Sequence, residues 1–372
     1  MKVAFDHQTF ALQAYGGISR YFVRLARSLA SLGVDARVCA PLHQNRYLEE
    51  LPARQRHGLR LRSFPARGTG LIEAANRRLS TLHALAFRPG VLHETYYAQT
   101  PPVAIGCARV LTVYDMIHER FSSELQTGDP TSRNKRAAVS RADHIICISH
   151  STRSDLCDML GVPPGKVSVV HLGMDVFSGR EASGRAPLAR RPYLLYVGNR
   201  AGYKNFSAFL RAVAARRQLR ESFDVVAFGG GALRADEREL MRELALDPAN
   251  IVQVGGGDDV LGDLYRNAAA LVYPSLYEGF GLPPLEAMAH DCPVVSSNTS
   301  SMPEVVGNAG EYFDPEDVES QAEAICRVVL DAQRRRELID QGRKRIGLFS
   351  WDRCAVETLQ VYRNLTGAGG PA

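Results

Sequence analysis

Short apolar runs alternate along almost the whole chain with stretches whose apolar positions recur at helical spacing. That alternation predicts parallel α/β construction. Residues 2–5 read as a strand and residues 18–30 as the helix that follows it, with Ile18, Phe22, Leu25 and Leu29 on one face. Residues 36–40, 91–93, 110–113, 144–148 and 167–171 read as further strands. Residues 177–192 carry Gly, Ser, Ala, Pro and Arg without periodicity and read as a linker. A second series follows, with strands at 193–197, 224–228 and 251–254 and a helix at 205–215. Strands at 271–274 and 293–296 flank a helix at 285–289. Residues 320–347 are helical and charged, and residues 351–365 form a last helix that crosses back to the first domain. No repeat at a solenoid period is present.

The expectation is thus an α/β protein of two Rossmann-like domains whose parallel sheets face an interdomain cleft. Residues 1–180, with the helix of 351–372, form the first domain, and residues 190–350 the second. In open parallel sheets ligands bind beyond the carboxyl ends of the strands, so the loops after strands are where chemistry is sought.

Composition narrows the class. Hydrophobic residues make up 45% of the 372 and charged residues 23%, which excludes disordered, collagen-like and coiled-coil chains. Seven scattered cysteines without CxxC spacing fit reduced, buried thiols rather than a disulfide framework or a zinc site. The start, Met1-Lys-Val-Ala-Phe5, runs straight into a strand, and no apolar run approaches membrane-spanning length. A cytoplasmic protein without a signal peptide is expected. Residues 1–185 hold 24 Lys/Arg against 15 Asp/Glu, whereas residues 186–372 hold 21 against 25. The basic half reads either as a solvated arginine-rich face or as a surface for an anionic partner, such as inner-membrane head groups or a polyprenyl-diphosphate-linked acceptor. Nucleic acid is not expected, because no recognised binding motif accompanies the charge.

The strongest chemical segment is Tyr277-Glu278-Gly-Phe-Gly281-Leu-Pro-Pro-Leu-Glu286. Gly279 and Gly281 allow a tight turn with close backbone approach to a ligand. Pro283 and Pro284 then open a helix, whose N-terminal amides suit a phosphate. Glu286, one turn inside, suits ribose hydroxyls, and Glu278 points at whatever the phosphate carries. Earlier, Arg200 and Lys204 follow the 193–197 strand. Two cations at a helix start oppose its dipole, so they suit a diphosphate better than they suit the helix. Gly16 and Gly17 open a helix as a phosphate cradle would, but the GxGxxG fingerprint is absent. The glycine runs 229–231 and 255–257 read as shapers of a base pocket or as simple turns. Tyr114-Asp115 and His118 follow another strand and are candidates for the acceptor or the transferred sugar, although a lone aspartate there also serves as a cap. His93, Glu94 and Tyr97, after the 91–93 strand, read as polar and aromatic sugar contacts. Ser149 reads as a helix N-cap. No metal or other cofactor is expected, since no His/Cys cluster or Asp-x-Asp triplet occurs.

Gly16-Gly17, Arg200 with Lys204-Asn205, and the run from Glu278 to Glu286 together resemble the retaining family 4 glycosyltransferases of the GT-B fold, over essentially the whole chain. The resemblance implies that Arg200 and Lys204 bind the donor diphosphate and Glu286 the ribose. It further implies that Glu278 and the backbone of Phe280, Gly281 and Leu282 meet the donor sugar and phosphate, with Gly16 and Gly17 also on the donor. Glu278, Asp115 and His118 are the catalytic candidates. Attack from the leaving-group face, with the leaving phosphate taking the acceptor's proton, is the implied route to retention. Many members carry His-Asp where this chain has Tyr114-Asp115. With that departure, the loops at 93–97 and 114–121 resemble O-antigen mannosyl- and rhamnosyltransferases, which implies a GDP-mannose-like donor and a glycan acceptor. A UDP-sugar-dependent transferase, a sugar-nucleotide epimerase and a non-catalytic nucleotide-binding scaffold are the alternatives. The epimerase lacks the Arg/Lys and paired-glutamate pattern, and a scaffold predicts loss of Arg200, Lys204 or Glu286, all of which are intact.

Overall fold

The computed structural model describes residues 1–64, 69–103, 106–122, 128–175, 189, 191–200 and 202–367. The predicted linker at 177–192 lies almost wholly outside them. The chain divides into two compact units, Met1–Gly173 with Ser350–Ala372, and Met174–Phe349.

In the first unit seven strands form one sheet. They are β1 (Lys2–Phe5), β2 (Asp35–His43), β3 (Arg56–Arg60), β4 (Val91–Glu94), β5 (Ala108–Val113), β6 (His144–Cys147) and β7 (Val167–Val169), in the order β3-β2-β1-β4-β5-β6-β7. In the second unit β8 (Tyr193–Val197), β9 (Asp224–Phe228), β10 (Ile251–Val254), β11 (Ala270–Tyr273), β12 (Val294–Ser297) and β13 (Gly310–Phe313) run β10-β9-β8-β11-β12-β13. Every pairing in both sheets is parallel. Both units are therefore Rossmann-like, as the alternating pattern predicts. Strand order reverses at β1 and β4 in one sheet and at β8 and β11 in the other, and these reversals are where open sheets receive ligands.

The central strands explain why the pattern was readable. Every residue of β4, β8, β11 and β12 is buried, because helices cover both faces. In the second unit Phe206, Phe209, Leu210 and Val213 pack on Tyr196, Ile325 and Val328. In the first, the helix Gly17–Ser31 packs along the terminal helix Trp351–Thr366. Two edge strands, β3 and β13, escaped the pattern, as did the long helix Thr69–Phe87. The helix expected at 285–289 begins earlier, at Leu282.

All seven cysteines are unbridged, and Cys39, Cys147, Cys292 and Cys354 are buried. Burial pushes the Cys39 thiol up to about 11 and those of Cys292 and Cys354 to about 12, so they stay protonated and inert. Among the described residues no helix is long and apolar enough to cross a membrane.

Candidate active site

The loops following β8 and β11 flank the reversal point of the second sheet, and they are held to each other. Leu276 N donates to Tyr203 O at 2.8 Å. Lys204, at the end of the turn Gly202–Lys204, sends its Nζ to Glu278 Oε1 at 2.7 Å. Both side chains are largely buried, so the charges are weakly screened. The ammonium also lies 5.3 Å from the Tyr203 ring and 5.9 Å from that of Tyr273. Tyr273 is bonded to the same carboxylate, and burial and the charge of Glu278 raise its phenol pKa well above the ordinary value. It therefore stays protonated as a neutral donor. Asn205 adopts φ +56° at the start of the helix Phe206–Ala215, a conformation asparagine tolerates.

The Glu278 loop is fixed from behind. Glu278 N donates to Ser300 Oγ at 2.9 Å, and Ser301 Oγ donates to the carbonyls of Glu278 and Phe280, both at 2.9 Å. Thr299 Oγ1 donates to Leu276 O at 3.0 Å. The Phe280 ring is buried against Phe349, so only the backbone of that residue serves the site. Gly281 has φ +99°, which a side chain would strain, and caps the helix Leu282–Ala289. Pro283 and Pro284 carry no N–H, which leaves the Gly281 and Leu282 amides at that helix start. Glu286, one turn in, accepts from the Tyr265 hydroxyl at 3.1 Å.

Arg200 requires a correction. Its guanidinium is buried, and all three of its nitrogens are already engaged within the protein rather than open as a fork for a diphosphate. Nε donates to Glu237 Oε1 at 3.0 Å, Nη1 to Gly229 O at 2.6 Å, and Nη2 to Gly231 O and Ala232 O at 2.8 and 2.9 Å. Gly229, Gly230 and Gly231 all have positive φ, which curls their carbonyls into a collar around the cation. The glycine run shapes an arginine site, and Lys204 is left as the cation of the loop.

The first unit corrects several further expectations. His93 is fully buried between Tyr362 OH, 2.6 Å from Nδ1, and Thr112 Oγ1, 2.8 Å from Nε2. Burial drives its pKa down to about 3, so it is a neutral core residue and not a sugar contact. Glu94 is buried against Arg109 and Arg141. Burial raises its pKa against the pull of Arg141. Tyr97 and Tyr114 are also buried: Tyr114 OH donates to Thr95 O at 2.9 Å, and Tyr97 OH accepts from Tyr114 N at 3.2 Å. His93 and Glu94 look inward because β4 is an interior strand covered on both faces, and Tyr97 and Tyr114 fold in just beyond the ends of β4 and β5. Asp115 closes a turn, accepting from Ile117 N at 3.1 Å. His118 is half-buried, with Nε2 3.5 Å from Asp129. The structure does not bring Asp115 and His118 together through a hydrogen bond. Gly16 caps the helix Gly17–Ser31, and Gly17 is exposed at its first position. Ser149 caps the helix His150–Leu160, accepting from Thr152 N.

A family model described as Glycosyl transferases group 1 matches residues 181–345, and one described as Glycosyltransferase Family 4 matches residues 15–178. The chain belongs to these glycosyltransferases. An O-antigen chain mannosyltransferase B of Escherichia coli is 28% identical over 371 residues, which cover 94% of this chain and 96% of that one. An MMP alpha-(1->4)-mannosyltransferase of Mycolicibacterium hassiacum is 31% identical over 222 residues, 59% of this chain and 53% of its own. The fold matches the sucrose-phosphate synthase of Thermosynechococcus elongatus with a TM-score of 0.75 at 21% identity, covering 99% and 100% of the two chains. The GT-B fold follows.

In this glycosyltransferase two linked loops of the second unit bring together Lys204, Glu278 and the Gly281 and Leu282 amides, with Glu286 one turn into the following helix. That set can hold a diphosphate by charge-assisted bonds and aim a carboxylate at what the diphosphate carries. Sequence reasoning missed the residues that hold the set in place, Ser300, Ser301 and Tyr273, and it missed Glu237, which fixes Arg200. The serines were findable, because they follow the 293–296 strand and so occupy another strand-end loop. Glu237 carries no such signal, since it sits in an ordinary charged helix.

Proposed function

We propose that the chain transfers a mannosyl group, or a 6-deoxy relative of it, from a GDP-linked donor to a glycan or lipid-linked glycan acceptor, with retention and without a metal. The Lys204–Glu278 pair beside the Gly281 and Leu282 amides carries this reading. Lys204 exchanges Glu278 for the donor diphosphate, the amides take a phosphate oxygen, and Glu286 accepts from ribose. The mannosyltransferase relatives support the sugar. In the transfer the anomeric C–O bond to phosphate breaks, the acceptor oxygen bonds the same carbon from the same face, and its proton passes to the leaving phosphate. Lys204 and the helix amides neutralise that phosphate.

A thermal-shift panel tests the donor. GDP or GDP-mannose at a hundred times its dissociation constant adds about 2.7 kcal/mol. UDP conjugates leave the melting point unmoved, and EDTA leaves turnover unchanged. Stabilisation by UDP-sugars and not by GDP-sugars would falsify the donor assignment.

A membrane-bound acceptor is supported by the helix Thr69–Phe87. Leu71, Leu79, Leu82 and Leu85 are exposed on it, opposite the face that buries Asn76, Ser80, Ala84 and Phe87. Residues 54–88 hold eight arginines and one acid, Glu73. Leucines set among arginines fit an anionic bilayer surface. In flotation assays the protein should rise with phosphatidylglycerol vesicles and not with phosphatidylcholine, and Leu82→Glu with Leu85→Glu should abolish that. Equal flotation of the double variant would refute it.

A further inference from the structure

The first unit carries an open depression of about 580 Å³ lined by Tyr15, Arg46, Tyr47, Glu49, Glu50 and Arg60, a volume within the ordinary range for small-ligand sites. It is built by the segments that follow β1 and β2, with Arg60 at the end of β3. Tyr15 is 54% exposed, an unusual position for a large aromatic, and its ring packs T-shaped with that of Tyr47, the centroids 5.4 Å apart. Arg46 lies 5.5 Å from the Tyr15 ring and donates to its hydroxyl at 3.2 Å. Glu49 pairs with Arg60 at 3.0 Å, and Glu50 with Arg24 at 3.1 Å.

The backbone beneath is stitched down. Gln44 Nε2 donates to the carbonyls of Ala11 and Leu12, both at 3.0 Å, and Arg46 N donates to Ala14 O at 2.9 Å. Buried Asn45 donates to Gln13 O at 3.0 Å and to Ser19 Oγ at 2.8 Å, and Ser19 Oγ donates to Gly16 O at 2.9 Å. The two tyrosines are thus positioned before any ligand arrives, and Tyr15 directly precedes the Gly16-Gly17 turn.

The lining decides the ligand class. Among the six lining residues two arginines face two glutamates, so the depression favours no net charge, unlike the arginine-rich stretch of residues 54–88. Exposed ion pairs contribute at most about 1 kcal/mol to stability, so they can open and re-pair at little cost. A pyranose ring presents an apolar C–H face, which suits an exposed tyrosine, and a rim of vicinal hydroxyls, which suits paired guanidinium and carboxylate forks. We infer that this depression is a subsite for a neutral hexose of the acceptor glycan, with Tyr15 as its stacking platform. The inference rests on the glycosyl-transfer reading above.

Saturation-transfer NMR with a methyl α-mannobioside, recorded without donor, tests it. The wild-type protein should transfer saturation to the ring protons. Tyr15→Ala should weaken the glycan about tenfold, the size of one lost aromatic contact, and Tyr15→Trp should restore it. The melting temperature without nucleotide, measured in parallel, shows that each variant is folded. Because no donor is present, a wrong donor assignment leaves this result readable. Equal signals from the wild type and Tyr15→Ala would overturn the subsite, and so would the absence of any signal from the wild type.

Discussion

Glu278→Ala is expected to lower the transfer rate about 10²- to 10³-fold while the affinity for GDP-mannose holds or rises. The size follows from removing one preorganised group from a largely buried site. The carboxylate is anchored through the Ser300 bond to its own amide and through Lys204 and Tyr273 before any donor arrives. Without it Lys204 loses a competitor for the diphosphate, so donor binding has no reason to weaken. Lys204→Ala should show the reverse: Glu278 is then left to repel the diphosphate, and donor affinity falls about 10- to 100-fold. The pair is read by measuring kcat and the GDP-mannose dissociation constant on both variants. A fall in affinity for Glu278→Ala, with kcat retained, would reverse the roles.

The second large effect falls on stability. Arg200→Ala should destabilise the second unit by about 3–5 kcal/mol, because it strands the carbonyls of Gly229, Gly231 and Ala232 and leaves the buried Glu237 carboxylate with Arg234 alone. In a unit of this size that is about 10 °C in melting temperature. Arg200→Lys should recover little of it, since one ammonium cannot span the positions a planar fork reaches. GDP binding measured below the transition should stay within about threefold of wild type. A variant that melts normally yet binds GDP poorly would return Arg200 to the diphosphate.

How much of this was legible depended on which signals are local. β8 and β11 were readable because a strand covered on both faces must be apolar throughout. β3, Arg56-His-Gly-Leu-Arg60, sits at a sheet edge with solvent beside it and has no apolar run to read. The Thr69–Phe87 helix hid for the opposite reason: its leucines lie on the exposed face while Asn76 and Ser80 lie on the buried one, which inverts the expected stripe. The Glu278–Glu286 run was readable because glycines, prolines and carboxylates at fixed offsets in one loop constrain its shape. Arg200 was misread because its partners lie about thirty positions away in a glycine run whose curl no neighbouring residue announces. His93 and Tyr114 were misread as loop chemistry because polar and aromatic residues look exposed when the two helical layers over β4 and β5 are unseen.

The first unit is closed by the last stretch of the chain, and this sets an order of assembly. Gly173 fits only because it has no side chain: a Cβ there would lie 2.4 Å from Trp351 N. The Trp351–Thr366 helix covers the Gly17–Ser31 helix and supplies the hydroxyl that bonds His93. During synthesis the first 173 residues emerge with that face of their core bare, and they wait for the whole second unit to be made before it is covered. The second unit is continuous and completes itself on the way. The first half of the sequence is thus the last part of the molecule to finish folding.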